Sequence, residues 1–468
     1  MAHRFDPTIL REYDIRGVVG QTLGADDAHA VGRSFATVLR RAGGRKLAVG
    51  YDGRLGSPML EAALVAGVRA SGVDVVRIGM GPTPMLYYAE ASAQDLDGGI
   101  QITGSHNPAD HNGFKLVMQG GAFFGPNIQA LGRMAAQGDW LDGAGACEER
   151  DVLPAYVERL LAGVAGIDRA ALAGLRIGWD AGNGAAGPAL ERLTAALPGE
   201  HHLLFTKVDG HFPNHHPDPT VEANLADLKA LVLARHLDFG VAFDGDADRI
   251  GVVDARGRVI QGDQLLAIFA EDVLRARPGA TVIADVKASG ALFARIAELG
   301  GRPLMWKSGH SHIKSKMKAV GAPLGGEMSG HVFFADQFYG FDDGLYAAVR
   351  LIAASLRLGR SVTRLHDAMP AMVNTPELRF HVDEARKFAV IEEVRDRLAA
   401  AGDGDVVAID GVRVTTPDGW WLLRASNTQD VLVARAESTD AAGLARLLAR
   451  IDAQLAASGL SRGDPGGH

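Results

Sequence analysis

Two short segments of the sequence carry side chains suited to moving a phosphoryl group. Residues 103–108 read Thr-Gly-Ser-His-Asn-Pro and place one serine, Ser105, in a tight loop, while residues 244–249 read Asp-Gly-Asp-Ala-Asp-Arg. A serine can hold a phosphoryl group as a covalent intermediate. A divalent cation bound by the three carboxylates can neutralise charge on the phosphate oxygens. Together the two segments indicate phosphoryl transfer.

The acidic segment is the more specific of the two. Asp244, Asp246 and Asp248 stand at alternate positions, so their oxygens can converge on one hard cation. A calcium-binding loop is excluded, because its sixth and twelfth positions require glycine and glutamate and here hold Arg249 and Ala255. An acidic turn without a ligand is the other alternative, but three close carboxylates would repel one another. Mg²⁺ is favoured because it binds few protein ligands and shares phosphate oxygens.

Other polar segments could complete a site. Residues 325–331 offer a carboxylate, a hydroxyl and an imidazole, which suit sugar hydroxyls or belong to an ordinary glycine-rich hairpin. Residues 424–428 start with an arginine at a predicted strand end, which suits phosphate binding unless the segment is a polar turn. His310 is a candidate acid or base near neutral pH, although a plain loop is the simpler interpretation of its segment alone. Lys115, ten residues beyond the serine, could pair with phosphate or act as a base.

The composition limits the class of protein. The chain has 468 residues, of which 47% are hydrophobic and 22% charged, so it can build several packed cores. A net charge of −8 without a long basic run argues against nucleic acid and anionic membranes as partners. We find no apolar run of the kind that spans a membrane or forms a signal peptide. The single cysteine, Cys147, favours a reducing compartment, so we expect a cytoplasmic protein.

Short apolar runs alternate with amphipathic stretches, which predicts an α/β fold. Residues 46–52 are typical of a buried strand, and Ser57-Pro58 then opens a helix with Ser57 as the expected capping residue. Apolar strands that stop at polar loops recur at 239–243, just before the acidic segment, and at 281–286. Ligands of open α/β sheets bind at such strand ends, so these loops are candidate binding loops.

The repeated pattern predicts three similar mixed α/β domains in series, at residues 1–152, 153–255 and 256–370. The region 371–468 differs and predicts a smaller α+β domain. Its expected elements are a helix at about 384–401, strands at 406–409, 412–415, 419–424 and 430–437, and a final helix from about Asp440.

Six motifs in a fixed order make the chain resemble a known family. They lie at residues 13–17 (Tyr-Asp-Ile-Arg-Gly), 50–54 (Gly-Tyr-Asp-Gly-Arg), 103–108, 244–249, 326–331 and 424–428. The chain resembles the α-D-phosphohexomutases, and among them the bacterial phosphomannomutase/phosphoglucomutases, over essentially its whole length. The resemblance implies four domains around a central cleft. It also implies an isomerase that interconverts hexose 1-phosphates and 6-phosphates through a phosphoserine and a hexose 1,6-bisphosphate, with Mg²⁺ as cofactor and glucose 1,6-bisphosphate as activator.

The resemblance further implies roles for individual residues. Ser105 is expected to be the phosphoserine, with Lys115, Arg16 and His310 handling protons and charge. The implied Mg²⁺ ligands are Ser105, Asp244, Asp246 and Asp248. The implied substrate contacts are Tyr13, His106, Arg249, Lys287, Glu327, Ser329, His331 and a phosphate clamp of Arg424, Ser426, Asn427 and Thr428.

The resemblance leaves the sugar open between glucose and mannose. Met328 stands where phosphoglucosamine mutases usually carry glutamine, which argues against an aminosugar. A phosphoglucosamine mutase, a non-catalytic phosphosugar-binding relative and a phosphatase are the alternatives. Asp430 departs from the family pattern, since many relatives have proline there; it would weaken phosphate binding if it pointed inward, but not if it faced solvent. We expect a monomer or a dimer.

Overall fold

The computed structural model of the chain describes residues 2–402, 404–426 and 430–462. Within these residues four β-sheets, of seven, five, four and six strands, follow one another along the chain. Helices pack against each sheet. No helix in the described ranges is long and apolar enough to cross a membrane.

The first sheet holds the serine segment. Its unit runs in the order Ile15–Val18 (β1), Ala25–Arg41 (α1), Lys46–Tyr51 (β2), Ser57–Ala70 (α2), Asp74–Met80 (β3), Thr83–Ser92 (α3), Gly98–Ile102 (β4), His111–Met118 (β5), Gly121–Ala122 (β6), Pro126–Gln137 (α4) and Cys147–Glu149 (β7). The strand order is β1-β5-β4-β2-β3-β7, with β6 paired to β5. Because β2 and β4 are parallel neighbours, the loops that follow them leave the same edge of the sheet.

The predicted strand–helix–strand unit near residue 50 is present as β2, α2 and β3. The predicted helix cap is wrong in detail, because Gly56 is the N-cap and Ser57 is already the first helical residue. The Ser57 hydroxyl donates instead to Asp52 Oδ1, at 2.6 Å. Pro58 lies in the first helical turn, where its missing N–H leaves no hydrogen bond unmade.

The second and third sheets follow the same plan. The second unit contains Leu153–Leu161 (α5), Arg169–Ala173 (α6), Arg176–Asp180 (β8), Gly187–Ala196 (α7), Glu200–Leu204 (β9), Ala226–Arg235 (α8), Phe239–Phe243 (β10), Ile250–Asp254 (β11) and Val259–Ile260 (β12). The third contains Gly262–Ala276 (α9), Thr281–Asp285 (β13), Gly290–Glu298 (α10), Arg302–Trp306 (β14), His310–Val320 (α11), Leu324–Gly326 (β15), Val332–Phe334 (β16), Gly344–Leu358 (α12) and Val362–Asp367 (α13). The strand orders are β12-β11-β10-β8-β9 and β14-β13-β15-β16.

The C-terminal unit differs, since all its strand pairs are antiparallel. It consists of Val373–Asn374 (β17), Leu378–His381 (β18), Glu384–Ala401 (α14), Asp405–Val407 (β19), Val412–Thr416 (β20), Gly419–Ala425 (β21), Val431–Ser438 (β22) and Ala441–Ala457 (α15). The strand order is β17-β22-β21-β20-β19, and β18 also pairs with β22. The predicted helix and strands of this region are present, while β17 and β18 had not been predicted.

The predicted fold class, three α/β units and a different C-terminal unit, is confirmed. The domain boundaries near 152, 255 and 370 stay predictions, and the pairing of β12 with β11 extends the second sheet to Ile260.

The acidic segment rests on a rigid support. Strand β10, which leads into it, is buried along its whole length and pairs with β8 and β11. Helix α12 is buried over most of its length, and the N–H of its first residue, Gly344, donates to the Ala247 carbonyl at 3.0 Å. Both contacts hold the backbone of the acidic segment in place.

Candidate active site

The acidic segment forms a tight turn between β10 and β11. The side chains of Asp244, Asp246 and Asp248 are fully buried, and one oxygen of each lies within 4.8 Å of the others. Ala247 has a φ of +58°, in the left-handed region that residues with a side chain seldom adopt. Burial, and then the charges of the other two aspartates, raise the pKa of Asp244 well above its ordinary value. This cluster needs a compensating positive charge.

Ser105 approaches the cluster from the first sheet. Its Oγ donates to Asp244 Oδ2 at 2.8 Å, across 139 residues of sequence. His106 Nδ1 lies 3.2 Å from the same Oγ. Burial, and then the charge of Arg249, lower the pKa of His106 well below its ordinary value, so the ring beside the serine is neutral at neutral pH.

The oxygens around Ser105 fit a divalent cation. Asp246 Oδ1 is buried and makes no hydrogen bond within the described part of the chain. Most buried oxygens in native proteins are satisfied, so an exception calls for a ligand. Carboxylate and hydroxyl oxygens are the hard ligands that Mg²⁺ takes. The chemistry of this donor set therefore matches the predicted ion.

Lys115, on β5, reaches the far side of the same cluster. Its ammonium donates to Asp246 Oδ2 at 2.8 Å and also to Asp248 Oδ2. Burial alone lowers the pKa of Lys115, but the charges of Asp246 and Asp248 outweigh it and raise the pKa well above its ordinary value. A lysine that acts as a base near neutral pH requires a lowered pKa, and these neighbours produce the opposite shift.

Arg16, on β1, supports the serine loop. Its Nη1 donates to Asn107 Oδ1 at 2.9 Å and to the Gly104 carbonyl, while Nη2 pairs with Asp14. The guanidinium is mostly buried. Arg16 thus lies beside the nucleophile and stiffens the turn that carries it.

The predicted sugar-binding residues lie next to the acidic cluster. His331 Nε2 is 3.3 Å from Asp248 Oδ1, and His331 Nδ1 is 3.3 Å from Glu327 Oε2 and 2.9 Å from Ser329 Oγ. Burial alone lowers the pKa of His331, but Asp248 outweighs it and raises the pKa to about 9. The Arg249 backbone forms a β-bridge with His331, and its Nε lies 3.4 Å from the ring. Residues 325–331, the predicted sugar-binding segment, and the acidic segment are therefore in direct contact.

His310 and Tyr13 contact each other, with 6.0 Å between their ring centroids. The His310 ring stacks on the His331 ring, with 5.6 Å between ring centroids. Burial, and then the charge of Lys314, lower the pKa of His310 well below its ordinary value, so it is neutral at neutral pH. The Tyr13 hydroxyl donates to the Ser308 carbonyl at 2.9 Å. This contact ties the first unit to the loop before α11.

The predicted phosphate clamp lies on the C-terminal unit. Arg424, one residue before the end of β21, is buried, and its Nε and Nη2 donate to the two Asp410 oxygens, each at 3.2 Å. Asp410 Oδ2 also accepts the Ser308 N–H at 3.0 Å, so the clamp touches the third unit. Ser426 is buried next to Arg424.

Two members of the predicted clamp, Asn427 and Thr428, lie outside the described residues. Asp430 is exposed, which is the arrangement in which it would not weaken phosphate binding.

Lys287 follows β13 and contacts the C-terminal unit. Its Nζ donates to Glu377 Oε2 at 3.2 Å, and its charge lowers the pKa of Glu377 to about 2. Sequence reasoning did not identify Glu377 or Asp410 as partners of the site residues, since each is a single acidic residue in a short connection between strands. Asp410 lies between two predicted strands, 406–409 and 412–415, which is its only sequence signal, whereas Glu377 precedes a strand that the sequence did not predict.

The fold and this site define a class of protein: an α/β protein with a serine beside a buried acidic cluster, an arrangement suited to phosphoryl transfer. Family models support that class over nearly the whole chain. The phosphoglucomutase/phosphomannomutase alpha/beta/alpha domains I, II and III match residues 7–140, 154–257 and 261–372, and the C-terminal domain of the same family matches residues 377–454.

Individual relatives agree. A phosphomannomutase/phosphoglucomutase of Pseudomonas aeruginosa is 46% identical over 94% of this chain and 94% of its own length. A phosphoglucomutase of Neisseria gonorrhoeae is 42% identical over 95% of this chain and 96% of its own length. A crystal structure of a phosphoglucomutase/phosphomannomutase family protein from Burkholderia thailandensis superposes with a TM-score of 0.91 at 44% identity, covering 99% of both chains. The chain belongs to the phosphoglucomutase/phosphomannomutase family, which confirms the predicted family and its enzyme class, a phosphotransferring mutase.

Proposed function

We propose that this enzyme interconverts the 1-phosphates and 6-phosphates of glucose, mannose or both, through phosphorylated Ser105 and a hexose 1,6-bisphosphate. The observation that carries the proposal is the contact between Ser105 Oγ and the buried carboxylate cluster, at 2.8 Å from Asp244. The names of the relatives, which include both phosphomannomutase and phosphoglucomutase, support the two sugars.

The proposed metal ligands are Ser105, Asp244, Asp246 and Asp248, with Mg²⁺ as the ion. When bound, Mg²⁺ would supply positive charge to the phosphate oxygens during transfer. Asp244 orients the serine hydroxyl, and all three aspartates are buried from bulk solvent. Ser105 therefore presents its oxygen in one direction.

The proposed reaction has two transfers at one centre. In the first, the bond between Ser105 Oγ and phosphorus breaks and Oγ takes up a proton, while a hydroxyl oxygen of the sugar bonds to phosphorus and loses its proton. Lys115, Arg16 and His310 are the proposed groups for that proton and for the developing charge. In the second, after the sugar has turned over in the site, Ser105 Oγ loses its proton and bonds to phosphorus of the other phosphate, while the bond between that phosphorus and the sugar oxygen breaks and the sugar oxygen takes up a proton.

The arrangement of the substrate contacts suits a substrate that binds in two orientations. Arg424 and Ser426, with Asn427 and Thr428, are proposed to hold the phosphate that is not being transferred. Glu327, Ser329 and Lys287 are proposed to contact the sugar. A clamp on a unit separate from Ser105 can accept either end of the sugar, because it recognises the phosphate and not the carbon that bears it.

A coupled assay tests the proposal. The enzyme would be given glucose 1-phosphate or mannose 1-phosphate with Mg²⁺ and trace glucose 1,6-bisphosphate, the proposed activator, and both 6-phosphates would be followed. Turnover of either sugar supports the proposal. Turnover of glucosamine 1-phosphate alone would show that Met328 had been misinterpreted. Release of inorganic phosphate without isomerisation would identify a phosphatase, and no reaction at all would favour a phosphosugar-binding protein.

The remaining expectations belong to the same proposal. Phosphosugars are the proposed ligands, and a cytoplasmic location and a monomeric or dimeric state are proposed alongside them. A sedimentation measurement of the purified chain decides the last of these.

A further inference from the structure

The loop after β2 contains a buried ion pair with no role in the reaction as described so far. Asp52 and Arg54 are 1% and 2% exposed, and Arg54 Nε lies 3.2 Å from Asp52 Oδ2. Burying two charges is unfavourable unless each is also satisfied by hydrogen bonds. The partners of this pair lie almost entirely in the serine loop.

Asp52 holds the start of the serine loop. Its Oδ2 accepts the Thr103 hydroxyl at 2.8 Å and the Gly104 N–H at 3.0 Å. The Thr103 hydroxyl in turn accepts the Ser105 N–H at 2.8 Å. The other carboxylate oxygen accepts the hydroxyl of Ser57, the first residue of α2. One carboxylate thus connects the beginning of α2 directly to Thr103 and Gly104 and, through the Thr103 hydroxyl, to Ser105.

Arg54 holds the carbonyl side of the same loop. Its Nη2 donates to the Ser105 carbonyl at 2.7 Å and to the Asn107 carbonyl at 2.6 Å. Its Nη1 donates to the His111 carbonyl at 3.0 Å and to the Pro108 carbonyl. Four carbonyl groups that face inward therefore share one guanidinium, whose fixed fork is suited to several acceptors at once.

The backbone of Ser105 needs such a restraint. Its φ is +48°, in the left-handed region that is unfavourable for a residue with a side chain. Its carbonyl packs so closely on Gly245 of the acidic segment that a Cβ on Gly245 would collide with it. Relaxation of Ser105 toward an ordinary φ would turn Oγ away from Asp244.

We propose that Asp52 and Arg54 are positioning residues for the nucleophile: they hold the Ser105 backbone in its strained conformation and so aim Oγ at the metal cluster. The inference rests on the proposed phosphoserine role of Ser105. The ring of Phe212, from the second unit, lies 5.1 Å from the Arg54 guanidinium and covers it. The pair therefore also connects the loop that carries the nucleophile to the unit that carries the metal cluster.

The test compares Arg54→Met and Arg54→Lys with the matched control Arg350→Met. Arg350 is equally buried and also ion-paired, at 2.7 Å from Asp336, but it lies on α12 and does not contact the serine loop. Each variant would be assayed for kcat, for KM and for the rate at which glucose 1,6-bisphosphate phosphorylates Ser105, measured by mass spectrometry. Melting temperatures would separate loss of fold from loss of position.

Arg54→Met is expected to lower kcat and the rate of phosphorylation by about 100-fold, with KM within about threefold, because misplacing a reacting group by about 1 Å has this effect on rate. Arg54→Lys should fall between the wild type and Arg54→Met, since one ammonium cannot reach all four carbonyl groups. Arg350→Met should lower the melting temperature and leave kcat within about threefold.

A folded Arg54→Met variant with wild-type kcat would overturn the inference. If that variant does not fold, Asp52→Asn serves instead: it keeps the shape of the side chain, and an unchanged kcat and phosphorylation rate would overturn the inference equally. If the wild-type chain itself never acquires phosphoserine, the proposed function falls and the inference falls with it. If the wild type is phosphorylated and the variants are phosphorylated equally fast, the positioning role is refuted while the proposed function stands.

Discussion

Asp343 gives the sharpest prediction about stability. It is the N-cap of α12: its Oδ1 accepts the Tyr346 N–H at 2.9 Å, and its Oδ2 accepts the Tyr156 hydroxyl at 2.9 Å. The residue is almost fully buried. Burial is the main reason why its pKa is raised from the ordinary 3.8 to about 7. Because α12 also supports the acidic segment through Gly344, ionisation of this group bears on the site.

The size of the effect follows from the two pKa values. At pH 5 the unfolded chain has already lost the Asp343 proton, whereas the native state keeps it until about pH 7. Between pH 5 and pH 8 the two states therefore differ by one proton over about two pH units. The native state therefore binds more protons, and its stability falls as the pH rises toward and through 7. At 1.36 kcal/mol per pH unit the loss is about 2–3 kcal/mol.

Asp343→Asn should abolish this loss, because the amide has no charge to bury and asparagine is as good an N-cap as aspartate. Hydrogen exchange at the α12 amides, corrected for the intrinsic effect of pH, would report the free energy of opening at pH 5 and pH 8. The variant should gain about 2–3 kcal/mol relative to wild type between these two conditions.

Two further variants control the experiment. Tyr156→Phe removes a hydrogen bond that lowers the pKa of Asp343, so this pKa should rise in the variant. The stability of the variant should then continue to fall up to a more alkaline pH than that of the wild type. Asp440→Asn is the same substitution at an exposed N-cap, that of α15, and should leave the pH profile of α12 unchanged. Parallel profiles for wild type and Asp343→Asn would refute the reasoning.

The other predictions concern the proposed reaction. Ser105→Ala should eliminate both turnover and phosphoserine while the melting temperature stays within a few degrees of wild type; mass spectrometry showing a phosphorylated, active variant would contradict it. Asp246→Asn should raise the Mg²⁺ concentration needed for half-maximal turnover by about tenfold or more, since a charged ligand is lost. Removal of Mg²⁺ with a chelator should stop turnover reversibly. Arg424→Met should raise KM by about 10–100-fold, the value of a charge-assisted bond to phosphate, whereas Arg446→Met on the same unit should leave KM unchanged. Lys115→Met should lower kcat by about 100-fold or more if Lys115 handles the proton; near-normal turnover would exclude that role.

Local features of the chain could be predicted because they depend on neighbours in sequence. The run at 239–243 is apolar at every position and ends at three alternating aspartates, so a buried strand followed by a polar turn was the natural interpretation, and β10 and its turn have that form. The C-terminal strands could be placed for the same reason. The predicted cap of α2 is wrong: Gly56 is the N-cap, and the Ser57 hydroxyl donates to Asp52.

By itself, therefore, the sequence determined the α/β units, the polar loops at their strand ends and the chemistry those loops can perform. Tertiary structure alone decided which loops meet: Ser105 with Asp244, Arg424 with Asp410 and Ser308, and Arg54 with the carbonyl groups of the serine loop. It also decided the charge environment of Lys115, whose pKa is raised and not lowered. The physical reason is that burial and Coulomb energy depend on distances in space, and those are set when the units pack together.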